Sequence, residues 1–228
     1  MVVDRQKLEE YNLANFSMIN SKCKICRRLG AKLFLRGERC LSPKCAMVKK
    51  PYPPGQKRKR RRRGGALSGY GKELREKQIL KNWYNLREKQ FRKYVREVLE
   101  KRGKVEDATQ LLIRELESRL DNVIFRLGMA ASRFQARQLV SHGHFLVNGK
   151  PINIPAYHVK KGDEITIRPS SQKKNIFQNL PTLLKKYQPP SWISLNLEKL
   201  EGKIKGEPTL EEAAPPAEIS AIFEFYSR

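Results

Sequence analysis

The chain has 228 residues, with 48 Lys and Arg against 23 Asp and Glu, a formal net charge of +25. That balance selects a polyanionic partner, because each cation that neutralises a phosphate releases a condensed counterion. Apolar residues make up 39%, enough for a modest core. A basic chain could instead bind an anionic membrane, but no run approaches the roughly 20 apolar residues of a spanning helix, and no membrane partner is expected.

In chain order, residues 1–22 read as an N-terminal extension, weakly patterned and without the apolar stretch of a secretory signal. Residues 23–48 hold all four cysteines, spaced Cys23-x2-Cys26-x13-Cys40-x4-Cys45. Two close pairs can supply the four thiolates of a tetrahedral zinc site, and zinc orders a segment with few apolar residues of its own. Four free thiols and an iron–sulfur cluster are the alternatives, although nothing in the sequence resembles redox machinery. Residues 49–71 form a basic arm with nine Lys and Arg between 49 and 63, three prolines and a Gly pair. Such a composition does not pack a core. Arg58, Arg60, Arg61, Arg62 and Arg63 are its candidate RNA contacts, and the alternative is a solvated linker or a localisation-like patch.

Residues 72–116 are expected to be a helical domain. Phe91, Tyr94, Val95, Val98 and Leu99 recur at helical spacing. Asn85 is placed to split the stretch into two helices, and Gly103 to stop the second. Leu112, Leu116, Leu120, Val123 and Leu127 predict one further amphipathic helix, ended by Gly128. These stripes read as core.

Residues 117–180 read as a compact α+β module. Ser132 and Gln135 make an S-x-x-Q capping box for a helix over 132–142, and Gly143 suits its C-terminal stop. Asn148-Gly149 between apolar residues signals a type I′ hairpin, with a second strand after Gly162. On the helix, Ala136, Leu139 and Val140 form the inner side. Phe134, Arg137, Gln138 and Ser141 form the outer one. An aromatic ring, a guanidinium, an amide and a hydroxyl can stack on a base and contact phosphates and 2′-hydroxyls. Arg133, Gln135, His142, His144 and Lys150 lie beside this face. Residues 181–228 are loop-rich until Ile222–Tyr226, which is apolar enough to return to the helical core. From residue 198 onward the net charge is −3, so the anion-binding surface lies upstream.

Enzyme signals are absent: no nucleophile elbow, no H-E-x-x-H, no phosphate-binding G-x-x-x-x-G-K-[ST] loop. Asp163-Glu164 reads as a turn device.

The segment ESRLDNVIFRLGMAASRFQARQLVSHGHFLVNGKPINIPAYHVKKGDEI, from Glu117 to Ile165, resembles the RNA-binding module named after ribosomal protein S-four. That module also occurs in RNA-modifying enzymes and stress RNA-binding proteins. The stretch CKICRRLGAKLFLRGERCLSPKCAMVKKPYPPGQ resembles the zinc-binding N-terminal part of the bacterial small-subunit S-four family, as do LREKQ (Leu74–Gln78) and the terminal EFYSR (Glu224–Arg228). The family implies a mostly helical domain built from the segment after the arm and the C-terminal tail, with the module inserted between. It implies a non-catalytic, cytoplasmic constituent of the small ribosomal subunit that binds its rRNA near a multi-helix junction, early in assembly. It also implies a place near the mRNA entrance beside ribosomal protein S-five, with influence on decoding accuracy. Some members repress their own operon's translation. Residues 1–20 precede the family's usual start, and 207–218 diverge from it.

Overall fold

The computed structural model describes residues 22–55, 67–101, 107–185 and 187–227. The N-terminal extension, the arm cations Arg58 and Arg60 to Arg63, and the expected stop at Gly103 lie outside the described residues.

The cysteine segment is three short helices: α1 over residues 22–29, α2 (Glu38–Leu41) and α3 (Ala46–Lys49). Their small core gathers Cys26, Leu33 and Ile79, too little apolar area to hold the segment alone. Ser68 caps the next helix, α4 (Gly69–Trp83), by accepting from the Gly71 amide. Asn85 then takes φ 55°, a left-handed conformation that asparagine tolerates. It separates α4 from α5 (Glu88–Lys101) as the sequence suggests. On α5 the stripe Phe91, Val95 and Val98 is buried. Asp107 caps α6 (Ala108–Glu117) by accepting from the Thr109 amide.

The single helix expected through Leu127 is two. Helix α6 ends at Glu117, and α7 (Leu120–Arg126) begins after Arg119, which is extended at φ −66°, ψ 137°. Arg119 pairs as a β-bridge with His158, the Leu120 amide donates to the Tyr157 carbonyl, and the Val159 amide donates to the Ser118 carbonyl. Tertiary pairing overrides a helical stripe that continues in register on both sides of the break.

Helix α8 (Arg133–Ser141) follows, then β1 (Phe145–Val147), β2 (Lys150–Pro151) and β3 (Glu164–Ile167). Asn148 and Gly149 both have positive φ, 50° and 76°, as a type I′ turn requires. Asp163 accepts from the Lys160 amide and the Asn148 side chain, confirming its part in the turn. Three short helices come next: α9 (Pro169–Gln172), α10 (Asn175–Gln178) and α11 (Leu180–Leu184).

The module does not stop near 180. Strands β4 (Ile193–Asn196) and β5 (Glu201–Ile204) complete one antiparallel sheet in the order β2-β1-β3-β5-β4. Glu164 stands opposite Lys203, and Ile165 opposite Gly202. Phe177, Leu180, Leu184, Trp192, Ile193 and Ile204 share the core of α7, α8 and the hairpin. Only α12 (Leu210–Ala213) and α13 (Ile219–Ser227) return to the helical lobe, where Ile222 and Phe223 pack with Leu80, Phe91 and Leu112. The fold is α+β: a mostly helical lobe and an inserted module of helices on a small antiparallel sheet.

Candidate nucleic-acid interface

Around the cysteines, Cys23 and Cys26 stand one turn apart on α1, Cys40 lies in α2, and Cys45 is the N-cap of α3. All four are unpaired thiols lining one cavity of about 10 Å³, room for one water- or ion-sized occupant. Burial pushes the Cys26 thiol up; the Leu33 backbone opposes this, and the other three sulfurs reinforce it. Burial raises Cys40 likewise, against the Arg36 backbone. These two buried thiols resist ionisation until a cation shares them. The donor set and the cavity size therefore fit a thiophilic divalent ion. Among the described residues, however, no group of three or more His, Cys, Asp or Glu side chains is arranged so that it could hold a metal ion.

Helix α8 is fixed at both ends. The Ser132 hydroxyl accepts from the Gln135 amide at 3.3 Å, and Gly143 closes the C-terminus at φ 70°. The reciprocal half of the box is displaced by one residue: Gln135 Oε1 accepts from the Ala131 amide at 2.9 Å rather than from Ser132. Ala136, Leu139 and Val140 are buried, as the wheel requires. Gln138, Ser141, His142 and Lys150 are exposed around the helix end and hairpin. Phe134 and Arg137 are half-buried. Lys22 Nζ lies 2.8 Å from the Phe134 ring centre, so one face of that ring already carries a cation. Arg137 Nη1 lies 3.8 Å from Asp121 Oδ2.

Two expected surface residues are internal. Arg133 is buried: its Nε donates to Asn122 Oδ1 at 2.7 Å, and its guanidinium sits 3.8 Å from the Trp83 ring centre. Burial lowers its pKa to about 10 against the attraction of Glu117. His144 is also buried, with Nδ1 2.9 Å from the Ser171 hydroxyl and its ring edge-on to Phe177. Burial, then Lys174 and His142, hold its pKa below the ordinary value, which favours the neutral ring. Both side chains point inward because partners distant in sequence hold them there: Asn122 and Trp83 for Arg133, Ser171 and Phe177 for His144.

The residues missed in sequence are those joining the lobes. Glu117 Oε1 accepts from the Tyr84 hydroxyl at 2.8 Å and from Arg126 Nη2 at 2.8 Å. Its Oε2 accepts from Arg126 Nε at 2.9 Å and from Asn122 Nδ2 at 2.5 Å. Burial alone would raise the Glu117 pKa; the bonds and charge of Arg126, with Arg133 and Tyr84, outweigh it and hold the carboxyl below its ordinary range. Beside it, Arg119 grips both oxygens of Asp121 and donates to the Tyr94 hydroxyl at 2.8 Å. The available signal was charge at core positions: Glu117 follows Leu116, and Arg119 and Asp121 flank Leu120.

A helix pair carrying a capped, polar-faced α8 against a small antiparallel sheet defines an RNA-binding module of the S4-domain class. The family model described as "S4 domain" matches residues 118–165, and that described as "Ribosomal protein S4/S9 N-terminal domain" matches residues 17–115. A relative named small ribosomal subunit protein uS4, from Halothermothrix orenii, is 47% identical over 206 residues, covering 90% of this chain and 96% of its own. Proteins of the same name from Thermus thermophilus and Thermotoga maritima are 44% and 43% identical, covering 92% and 90% of this chain and 98% and 96% of theirs. The chain belongs to the small ribosomal subunit protein uS4 family.

Proposed function

We propose that this chain is a structural, non-enzymatic constituent of the small ribosomal subunit that binds the subunit's rRNA directly. The observation that carries the reading is the near-complete match to relatives named for that subunit. The geometry agrees with it. Helix α8 is rigid and capped, and it presents Gln138, Ser141, His142 and the half-buried Arg137 and Phe134 beside Lys150. RNA is read through shape, 2′-hydroxyls and stacking, which fixed side chains favour. The basic run with Arg58 and Arg60 to Arg63 supplies phosphate neutralisation without sequence discrimination.

The finer parts of the proposal are entry early in assembly, a position beside ribosomal protein S-five near incoming mRNA, and an influence on decoding accuracy. The working divisions are the extension to 22, the cysteine segment 23–48, the arm 49–71, the helical lobe from 72, and a module from 117 that runs on to β5. Zn2+ is the proposed ion, held by Cys23, Cys26, Cys40 and Cys45. When bound it supplies a charge centre that orders α1, α2 and α3.

The test is a footprint of the purified full chain on naked small-subunit rRNA, paired with sedimentation of cell extract at high salt. Protection of a junction and retention with small subunits are expected. Absence of both overturns the reading.

A further inference from the structure

At the root of the arm, α1, α4 and the chain after α3 enclose a cleft of about 430 Å³. Its charged lining is Arg27, Arg28 and Arg75, with no carboxylate among the residues that form it; Glu73, Glu76, Glu218 and Glu224 line a neighbouring cleft that Arg75 also borders. Pro51, Pro53 and Leu74 supply apolar wall.

Two of these arginines are held in place by their inner nitrogen. Arg27 Nε donates to the carbonyls of Lys50 and Tyr52, both at 2.9 Å, and its guanidinium lies 4.9 Å from the Tyr52 ring centre. Arg75 Nε donates to the Leu29 carbonyl at 3.1 Å. In an arginine so anchored, the two outer nitrogens remain for a ligand. Among the described residues no further hydrogen bond or ion pair engages them, and Arg28 is exposed with none at all. A lysine has one nitrogen and cannot both anchor and bind in this way. Anchoring also settles the side-chain ordering cost before a ligand arrives.

We propose that Arg27, Arg28 and Arg75 form a preorganised phosphate-binding cleft that takes the backbone of an RNA strand where the arm leaves the globular body. This rests on the rRNA-binding reading and assigns it a second contact, built from residues other than those of α8. Charge complementarity selects the occupant. Three like charges with no internal carboxylate call for a polyanion, and residues 57–63, all Lys or Arg, have the wrong sign to fill it. Paired outer nitrogens match phosphate oxygens two by two.

The experiment uses the full chain and a small-subunit rRNA transcript in equilibrium titrations over a salt series. The variants are Arg28→Ala, Arg27→Lys and Arg75→Lys. Each should weaken binding by about tenfold, the loss of one charge-assisted contact. Arg28→Ala should also cut the magnitude of the log–log salt slope by about 0.7–0.9. The two Lys variants keep the charge, so their loss would report the anchored fork. Melting curves guard against unfolding; Arg28→Ala breaks no hydrogen bond or ion pair among the described residues and keeps the test open if a Lys variant loosens the arm root. Wild-type affinity in all three variants overturns the cleft while leaving rRNA binding intact. Failure of the wild-type chain to bind the transcript overturns the functional reading itself. Equal binding of polyglutamate, with the same dependence on the three arginines, would assign the cleft to an acidic protein and overturn the RNA proposal.

Discussion

Replacing Glu117 tests whether the two lobes are locked by charge. The side chain is 1% exposed and accepts four hydrogen bonds, from Tyr84, Asn122 and twice from Arg126. Glu117→Ala leaves Arg126 at 16% exposure and the buried Arg133 without their carboxylate, and the Tyr84 hydroxyl without its acceptor. Removing one partner from a buried ion pair costs about 3–5 kcal/mol. At about 2–4 °C per kcal/mol for a chain of this size, the midpoint should fall by roughly 6–20 °C. Glu117→Gln keeps the shape but loses the charge and places an amide donor against arginine donors, so it should rank between Ala and wild type. A third variant separates charge from packing: Glu117→Leu with Arg126→Met, Arg133→Met, Tyr84→Phe and Asn122→Leu removes the whole cluster, including the hydroxyl and amide that would otherwise be left unpaired, and should recover most of the loss. The assay is thermal melting by far- and near-ultraviolet circular dichroism at one salt concentration. A Glu117→Ala midpoint within about 2 °C of wild type would refute the idea that this network holds the lobes together.

Elemental analysis of protein purified without added metal should give about one zinc per chain, and a chelator should lower the melting temperature; four freely titrating thiols in the folded state would refute the site. Arg137→Ala with Gln138→Ala should weaken the native rRNA junction by about 2–4 kcal/mol more than a scrambled RNA, measured by paired titrations; equal loss on both would place discrimination elsewhere. Gly202→Ala should destabilise by about 1–3 kcal/mol in denaturant melts, since its Cβ would stand 2.5 Å from both terminal carbons of Leu127 in the core. Burial would raise Glu88, but hydrogen bonds from Lys77, Tyr226 and Lys81 bring it down to about 2. A folded pKa below the unfolded value contributes stability above about pH 4.5 and loses it as pH falls toward 2, so Glu88→Gln should flatten the acid limb of a pH–melting profile.

Local rules read much of this fold from the sequence because they act over a few residues. The Ser132 cap, Gly143, the Asn148-Gly149 turn and the Asn85 break each follow from one backbone requirement. What failed depended on distant partners. The break at Arg119 exists because residues 157–159 pair there, and no helical period encodes that. Strand β5 was hidden by Gly202, a poor strand former alone, whose missing side chain admits Leu127. The interface residues divide in the same way. The wheel correctly buried Ala136, Leu139 and Val140, but it could not foresee that Arg133 would turn toward Trp83 and Asn122, or that the Gln135 side chain would reach back to the Ala131 amide.

The placement of the acidic residues bears on how a chain of net charge +25 stays folded. Several carboxylates are used in internal pairs, two of them buried and Glu88 half-exposed. Glu117 holds Arg126, Asp121 holds Arg119, and Glu88 bridges Lys77 and Lys81 at 2.8 and 3.0 Å. Asp121 is 5% exposed and Glu117 1%, so salt and RNA phosphate reach them poorly. Two consequences follow. The cations paired within the lobe junction are withdrawn from the RNA-facing surface, so an arginine in the sequence is not by itself a phosphate contact. The surface in turn loses anions that would repel rRNA, although not everywhere: Arg75 borders a second cleft lined by Glu73, Glu76, Glu218 and Glu224. Internal pairing thus separates the electrostatics of folding from those of binding: raising salt should weaken the hold on rRNA long before it unlocks the two lobes.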